Sequence, residues 1–277
     1  MPPLAHTLAF PAMVVFFVAD LWLVGPLLVY GSTILGSTMI LAEGAPDYPH
    51  GDRVWRIVED QRVTYMGVAP TMIRGFMADR SFNPANYDLS SLRVFNSTGE
   101  AWTPEAWAWL FEKIGKSRVP IINFSGGTEV LGIVTSTVIH PIKPCSFTRP
   151  IPGTDAAILD EQGREAPTGQ VGELVMRRAP IGLTQGLWRD KDRYLASYWS
   201  TYPGIWHHGD FAMRDADGYW YLLGRSDDTL KVSGKRTGPS EIEALALATN
   251  TVKEVAAIGI PDPIKGSAIV CVGVLRD

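Results

Sequence analysis

The sequence predicts an α/β protein, one large domain followed by the start of a small α+β domain, and three observations carry that prediction. Strand-like and helix-like segments alternate between Asp52 and Phe124, the pattern of a largely parallel sheet with crossover helices. Beyond Pro150 the text changes to β segments without intervening helices, the mark of a β-rich subdomain. After residue 226 a short strand, a helix and two strands follow, a β-α-β-β run that stops at Asp277 with too little chain to cover its own sheet. The expected division is therefore 1–226 and 227–277, with the second part truncated.

From Leu8 to Ala42 the one charged residue is Asp20, and a hydropathy window alone would flag a membrane span. Asp20, the Gly25-Pro26 pair, Gly31 and Gly36 break this run into short pieces. No basic residue precedes it, as a secretory signal would require. We expect strands and a helix buried on both faces of the α/β domain, with no membrane span. Asp52 is expected to cap a helix running through Trp55 to Asp60. A strand over Val63–Ala69 follows, and Pro70 opens a helix through Met77. Leu92–Asn96 reads as a strand. Thr103-Pro104-Glu105 reads as a helix start, with a capping hydroxyl, Pro at the first helical position and an acid near the positive end of the dipole. Ile121–Phe124 is the next strand. In the β-rich part, Val171–Arg177, Trp206–Arg214 and Tyr219–Leu223 are strands, and Asp217-Gly218 has the composition of a tight turn. Thr229–Ser233, a helix from Pro239 through Thr249, Glu254–Ile260 and Ala268–Leu275 complete the set.

Composition narrows the function. Hydrophobic residues make up 46% and charged residues 19% of the 277, with a formal net charge of −4. That is ordinary for a globular protein. No basic run supplies the clustered Lys/Arg surface that nucleic-acid binding needs. The two cysteines, Cys145 and Cys271, have no metal-like spacing and fit a reducing, cytoplasmic compartment.

Three polar clusters follow expected strands, where open α/β sheets place ligands. Asn96-Ser97-Thr98-Gly99-Glu100-Ala101 is a small-residue turn whose amides can meet an anion or a base edge, although many such turns are plain connections. Asn123-Phe124-Ser125-Gly126-Gly127-Thr128-Glu129 combines a permissive glycine pair, a hydroxyl and a carboxylate. A Glu beside a Thr suits Mg²⁺ held against phosphate oxygens; the alternative is a helix cap with Glu129 in its first turn. The third cluster spans Trp206-His207-His208-Gly209-Asp210, Gly224-Arg225-Ser226-Asp227-Asp228 and Lys231 to Arg236. Here Asp210 suits a ribose diol, while Arg225 and Arg236 suit phosphate oxygens. The adjacent histidines point to opposite faces of a strand, which argues against zinc.

Taken in order, Thr98-Gly99-Glu100-Ala101, Ser125-Gly126-Gly127-Thr128-Glu129, His208-Gly209-Asp210, Gly224 to Asp228, and Gly234-Lys235-Arg236 through Glu241-Ile242-Glu243 resemble the signature of adenylate-forming acyl-CoA synthetases. Glu43 to Pro49 and Ile260 to Gly266 are similar to the short-chain branch, which includes acetyl-, propionyl- and acetoacetyl-CoA synthetases. The resemblance implies ATP-dependent activation of a carboxylic acid to an acyl-adenylate, then thioester formation with CoA. It implies that Gly99, Glu100 and Ala101 lie under the adenine and that Asn123 and Phe124 flank the base. Thr128 would sit near the α-phosphate, Glu129 would hold Mg²⁺ and Asp210 the ribose hydroxyls. Arg225 would lie beside the ribose and Arg236 on a phosphate. Thr128, Glu129 and Arg236 are thus the residues expected to act in catalysis. Asp227 would be the hinge of the small domain, and Gly234 would line the pantetheine tunnel. Acetate-specific members carry a tryptophan where this chain has Gly126, so an indole-sized gap and an acid larger than acetate, short- to medium-chain or acetoacetate, are expected.

The family also has an upstream Ser/Thr/Gly-rich loop ending in Lys and a lysine near its C-terminus. Neither is found in this sequence, and adenylation by these residues alone is expected to be severely impaired. Two other readings stand beside the ligase: an adenylation domain loading a carrier protein, and a non-catalytic paralogue that binds nucleotide.

Overall fold

The structure is a computed structural model that describes residues 13–17, 24–42, 44–79, 82–226, 230–232, 235–249, 251–262 and 266–275. The chain forms two compact units, residues 1–147 and 148–277. The boundary expected at 226/227 lies within the second of them.

In the first unit, β1 (Met13–Phe17), β2 (Thr38–Ala42), β3 (Tyr65–Val68), β4 (Val94–Ser97) and β5 (Ile121–Ser125) pair in parallel, in the order β2-β1-β3-β4-β5. The two-residue β6 (Val134–Thr135) adds antiparallel to β5. The helices are α1 (Val24–Ile34), α2 (Arg53–Asp60), α3 (Pro70–Ala78) and α4 (Pro104–Trp109), the last continuing into a π-helical turn over Leu110–Ile114. Strand–helix alternation has thus given the parallel sheet it predicts. The core is aromatic as well as aliphatic. Trp55, fully buried on α2, meets Phe76 of α3 edge-on at 5.0 Å and stacks on Phe82 at 5.4 Å. Thr103 caps α4 as expected, its hydroxyl accepting from Ala106 N at 3.4 Å.

Two expectations need correction. Asp52 stands at the N-cap of α2 but makes no side-chain cap. Its carboxylate instead accepts from the Tyr87 hydroxyl at 2.6 Å and the Arg56 guanidinium at 2.7 Å, which together hold its pKa down. The apolar opening does form strands and a helix, but α1 is not buried on both faces. Tyr30 and Ile34, one turn apart on α1, are exposed, as is Leu35 just beyond its end.

In the second unit, β8 (Ala156–Leu159), β9 (Gly172–Met176), β10 (Trp206–Arg214) and β11 (Trp220–Arg225) form an antiparallel sheet in chain order, preceded by the two-residue β7 (Arg149–Pro150). The β10–β11 turn is organised by Asp215, whose carboxylate accepts from Asp217 N at 3.0 Å and Tyr219 N at 2.9 Å, with Gly218 at φ +87°. Helix α5 (Lys191–Tyr198), which the sequence reading did not anticipate, packs on this sheet through an aromatic cluster. In it Tyr198 stacks on the fully buried Trp206 at 4.2 Å, and Trp199 and Tyr194 meet the same indole. A second antiparallel sheet, in the order β13-β12-β15-β14, contains β12 (Leu230–Val232), β13 (Lys235–Thr237), β14 (Val252–Asp262) and β15 (Gly266–Leu275). Helix α6 (Pro239–Ala248) is tied to it by the Glu243 carboxylate, which accepts from Ala257 N at 2.9 Å.

Candidate functional site

The first unit brings two of the three clusters together. Strands β4 and β5 run parallel, with Ser97 opposite Asn123, so the turn after β4 and the turn after β5 leave the same edge of the sheet side by side. Gly99 holds φ +101° in the first turn, a conformation that glycine adopts without strain. Its neighbour Glu100 reaches back to the start of α3. One carboxylate oxygen accepts from the Thr71 amide at 2.7 Å and from the Thr71 hydroxyl. The other pairs with Arg74 Nη2 at 2.7 Å. Partial burial works to raise the Glu100 pKa, but the bonds from Arg74 and Thr71 and the Arg74 charge outweigh it and hold the group below its ordinary value. Ala101 is exposed, and Trp102 beside it is buried.

The second turn is closed by its own backbone. Gly127 O accepts from Val130 N at 3.1 Å and Leu131 N at 2.8 Å, and Ser125 O accepts from Ile133 N at 2.8 Å. This leaves Thr128 exposed and Glu129 and Phe124 half-buried on the rim. Asn123 is buried, and its side-chain amide donates to the Ser146 carbonyl at 3.1 Å, so that group braces a neighbouring segment. Gly126 sits where no side chain fits. A Cβ built there would lie 2.4 Å from Gly132 Cα and 2.4 Å from the Leu131 carbonyl oxygen. The expected indole-sized gap is therefore not found beside this Cα; the backbone of Leu131–Gly132 occupies the space.

In the second unit, the third cluster centres on Asp210. The β9–β10 pairing shifts register between His207 and Phe211, the β10–β11 pairing shifts between Phe211 and Ala212, and Gly209 holds φ +85°. Bulges of this kind re-aim side chains. Asp210 stands opposite Arg225, whose Nη1 is 3.8 Å from its carboxylate and donates to His208 O at 3.4 Å. His208 Nε2 lies 3.3 Å from the other carboxylate oxygen. The two histidines go separate ways, His207 meeting Glu173 at 3.0 Å, as alternation along a strand requires. Arg236 lies on β13 opposite Lys231. Asp227 and Gly234 fall outside the described residues.

Sequence reasoning missed the Thr71–Arg74 pair and the His208–Asp210 pair. Both carry a legible spacing: i,i+3 on a helix and i,i+2 on a strand place side chains on one face. Among the described residues no group of three or more metal-ligating side chains occurs. Glu129, a half-buried carboxylate beside the exposed Thr128, fits Mg²⁺, which takes one or two protein carboxylates and completes its shell with water and phosphate.

Glycine turns at adjacent ends of a parallel sheet lie where open α/β folds take their ligands. The chain belongs to the AMP-binding enzyme family: the family's description "AMP-binding enzyme" matches residues 5–188, and "AMP-binding enzyme C-terminal domain" matches 241–277. It is 40% identical over 260 residues to an acetyl-coenzyme A synthetase of Pyrobaculum arsenaticum, covering 92% of this chain and 39% of that protein. It is 37% identical over 266 residues to an acetyl-coenzyme A synthetase of Chlorobaculum tepidum, covering 95% and 40%. The chain thus spans about two fifths of the length of the curated relatives it matches. Among solved structures, the anthranilate CoA ligase AuaEII in complex with anthranoyl-AMP superposes with a TM-score of 0.79 at 27% identity, over 96% of this chain and 49% of that one. The amide bond synthetase Mcba of Marinactinospora thermotolerans gives 0.78 at 26%, over 97% and 53%. The fold is that of the adenylate-forming ligases. No described helix is long and apolar enough to cross a membrane.

Proposed function

We propose that this chain is the nucleotide-binding part of an acid–CoA ligase, which activates a carboxylic acid with ATP and Mg²⁺ and transfers the acyl group to CoA. The observation that carries the reading is the pairing of the turns after β4 and β5 at one sheet edge, in a chain related to acetyl-CoA synthetases over nine tenths of its length. In the first unit the 99–101 turn would take the adenine edge. Phe124 would lie against the base, the Thr128 hydroxyl would meet the α-phosphate and Glu129 would hold Mg²⁺. Asn123 would act there by fixing the strand end rather than by touching the nucleotide. In the second unit Asp210, oriented by Arg225 and His208, would accept from the ribose hydroxyls, and Arg236 would meet phosphate. Asp227 would serve as the hinge at which the large and small domains divide, and Gly234 would line the pantetheine path. A cytoplasmic location fits the unpaired Cys145 and Cys271.

The acid is proposed to be larger than acetate, on the resemblance-based ground that no indole stands at position 126; the Leu131–Gly132 backbone takes the space next to this Cα, so the added room would lie beyond that contact. The test supplies the intermediate directly. Acetyl-, propionyl-, butyryl- and hexanoyl-AMP are each mixed with the chain and CoA, and thioester is measured by chromatography. Thioester formation above the protein-free rate, with propionyl or longer favoured over acetyl, supports the reading. A preference for acetyl would sink the acid assignment, and thioester formation no faster than without protein would sink the ligase assignment.

A further inference from the structure

Resting on the nucleotide-site reading above, we propose that Arg74, with Thr71, is the positioning device for the base-binding turn: a latch on α3 that sets adenine selectivity without touching the nucleotide. The turn after β4 has little to hold it. Gly99 is at φ +101°, a Cβ added there would meet nothing within 4 Å, and Ala101 is exposed. It is anchored by Glu100, whose two carboxylate oxygens are engaged by Thr71 and Arg74 in the first half of α3.

The geometry of that anchor is more than a surface ion pair. Thr71 follows Pro70, the first residue of α3, so its amide is one of the donors that the helix leaves unsatisfied at its start. Glu100 caps that amide from another segment of the chain, and its charge sits at the positive end of the helix dipole. Arg74, one turn on, bonds Glu100 at 2.7 Å and Thr71 Oγ1 at 2.9 Å, closing a three-residue ring. Arg74 Nη2 alone serves both Glu100 Oε2 and Thr71 Oγ1, and a charge-assisted bond of this kind, closed into a ring with the Thr71 bonds, constrains the carboxylate it holds. Helix α3 is in turn fixed by the buried Ile73 and Phe76. Any rotation of the Glu100 backbone must therefore break several bonds to a rigid element, and the amides of residues 99–101 inherit that fixed direction. A base edge is read by such amides and carbonyls, so their direction decides which base fits. The latch also joins the strand ends of β3 and β4, which pair in parallel through Val68 and Ser97.

The experiment titrates AMP and GMP into the 277-residue chain by calorimetry, for the wild type, Arg74→Ala, Arg74→Lys and Thr71→Val, with thermal unfolding of each. Arg74→Ala is expected to weaken AMP binding about tenfold, the loss of one charge-assisted anchor, while GMP binding changes by less than twofold, so selectivity collapses. Arg74→Lys is expected to recover part of that selectivity, since it keeps the charge but holds it on a flexible stem rather than a planar guanidinium. Unchanged AMP-to-GMP selectivity in Arg74→Ala overturns the latch, as does an equal weakening of both nucleotides alongside a lower melting temperature, which marks a plain stability role. If the wild type binds neither nucleotide, the nucleotide-site reading itself is overturned and the latch falls with it.

Discussion

Replacing Gly126 by alanine should damage the fold locally, and the size of the damage follows from the turn after β5. The added Cβ would stand 2.4 Å from Gly132 Cα, 2.4 Å from the Leu131 carbonyl oxygen and 2.9 Å from Gly132 N, against an ordinary contact of 3.4–4 Å. All three are backbone atoms, so no rotamer change relieves the overlap. The opposing segment is held by Leu131 N to Gly127 O at 2.8 Å, Gly132 N to Val130 O at 2.9 Å and Ile133 N to Ser125 O at 2.8 Å. A retreat of about 1 Å loses one or two of these bonds, at about 1 kcal/mol each, on top of roughly 1–3 kcal/mol for overpacking. We expect Gly126→Ala to destabilise the chain by about 2–5 kcal/mol, read as a lower urea midpoint at unchanged slope. Gly126→Trp should do worse and should not produce an acetate-specific pocket, because the indole would be attached at the same crowded Cα. A Gly126→Ala variant within about 0.5 kcal/mol of wild type would refute the argument that the Leu131–Gly132 backbone fills this space.

Three further outcomes are expected from the same urea titrations or from simple variants of them. Gly75→Ala, on the exposed side of α3 with nothing within 4 Å of its added Cβ, should stabilise by about 0.5–1 kcal/mol through helix propensity; a loss of stability would contradict the open environment. Trp206→Ala should cost about 3–5 kcal/mol, because the indole is fully buried and stacked on Tyr198; near-ultraviolet circular dichroism should lose the α5 aromatic signal with it, and an intact spectrum would count against the cluster. Asp88 is held down to about 2 by the Ser90 hydroxyl and amide and by Arg62. A carboxylate with a lowered folded pKa contributes stability above its ordinary value of 3.8 and loses it as pH falls toward 2. The urea midpoint should therefore drop more steeply between pH 4 and pH 2 in wild type than in Asp88→Asn, and identical slopes would contradict the assignment.

The parallel sheet was legible because its strands alternate with helices that carry strong punctuation, Pro70 after β3 and Thr103-Pro104 after β4. The 206–225 hairpin was legible from Asp217-Gly218. Helix α5 was not, since Lys191 to Tyr198 buries only Tyr194 and so writes almost no apolar stripe. β8 was hidden in a loop-like stretch, and β13 is three residues long. For the candidate site, ordered motifs point to segments but do not say what their side chains touch. Asn123 looks like a ligand residue in sequence, yet its amide is committed to Ser146 by a contact 23 residues away. Gly126 looks like a vacancy, yet its neighbour across the turn fills the space. The Glu100 latch depends on a partner 26 residues upstream, a proximity that only the β3–β4 pairing creates.

Whether this chain holds an acyl-adenylate is measured directly by calorimetric titration of a stable mimic, propionyl-sulfamoyl-adenosine, into wild type and Asp210→Ala. Saturable one-to-one binding to wild type is expected, displaced by AMP and weakened at least tenfold by loss of the ribose carboxylate. Absence of binding, or binding of equal strength in Asp210→Ala, would contradict the acyl-adenylate reading.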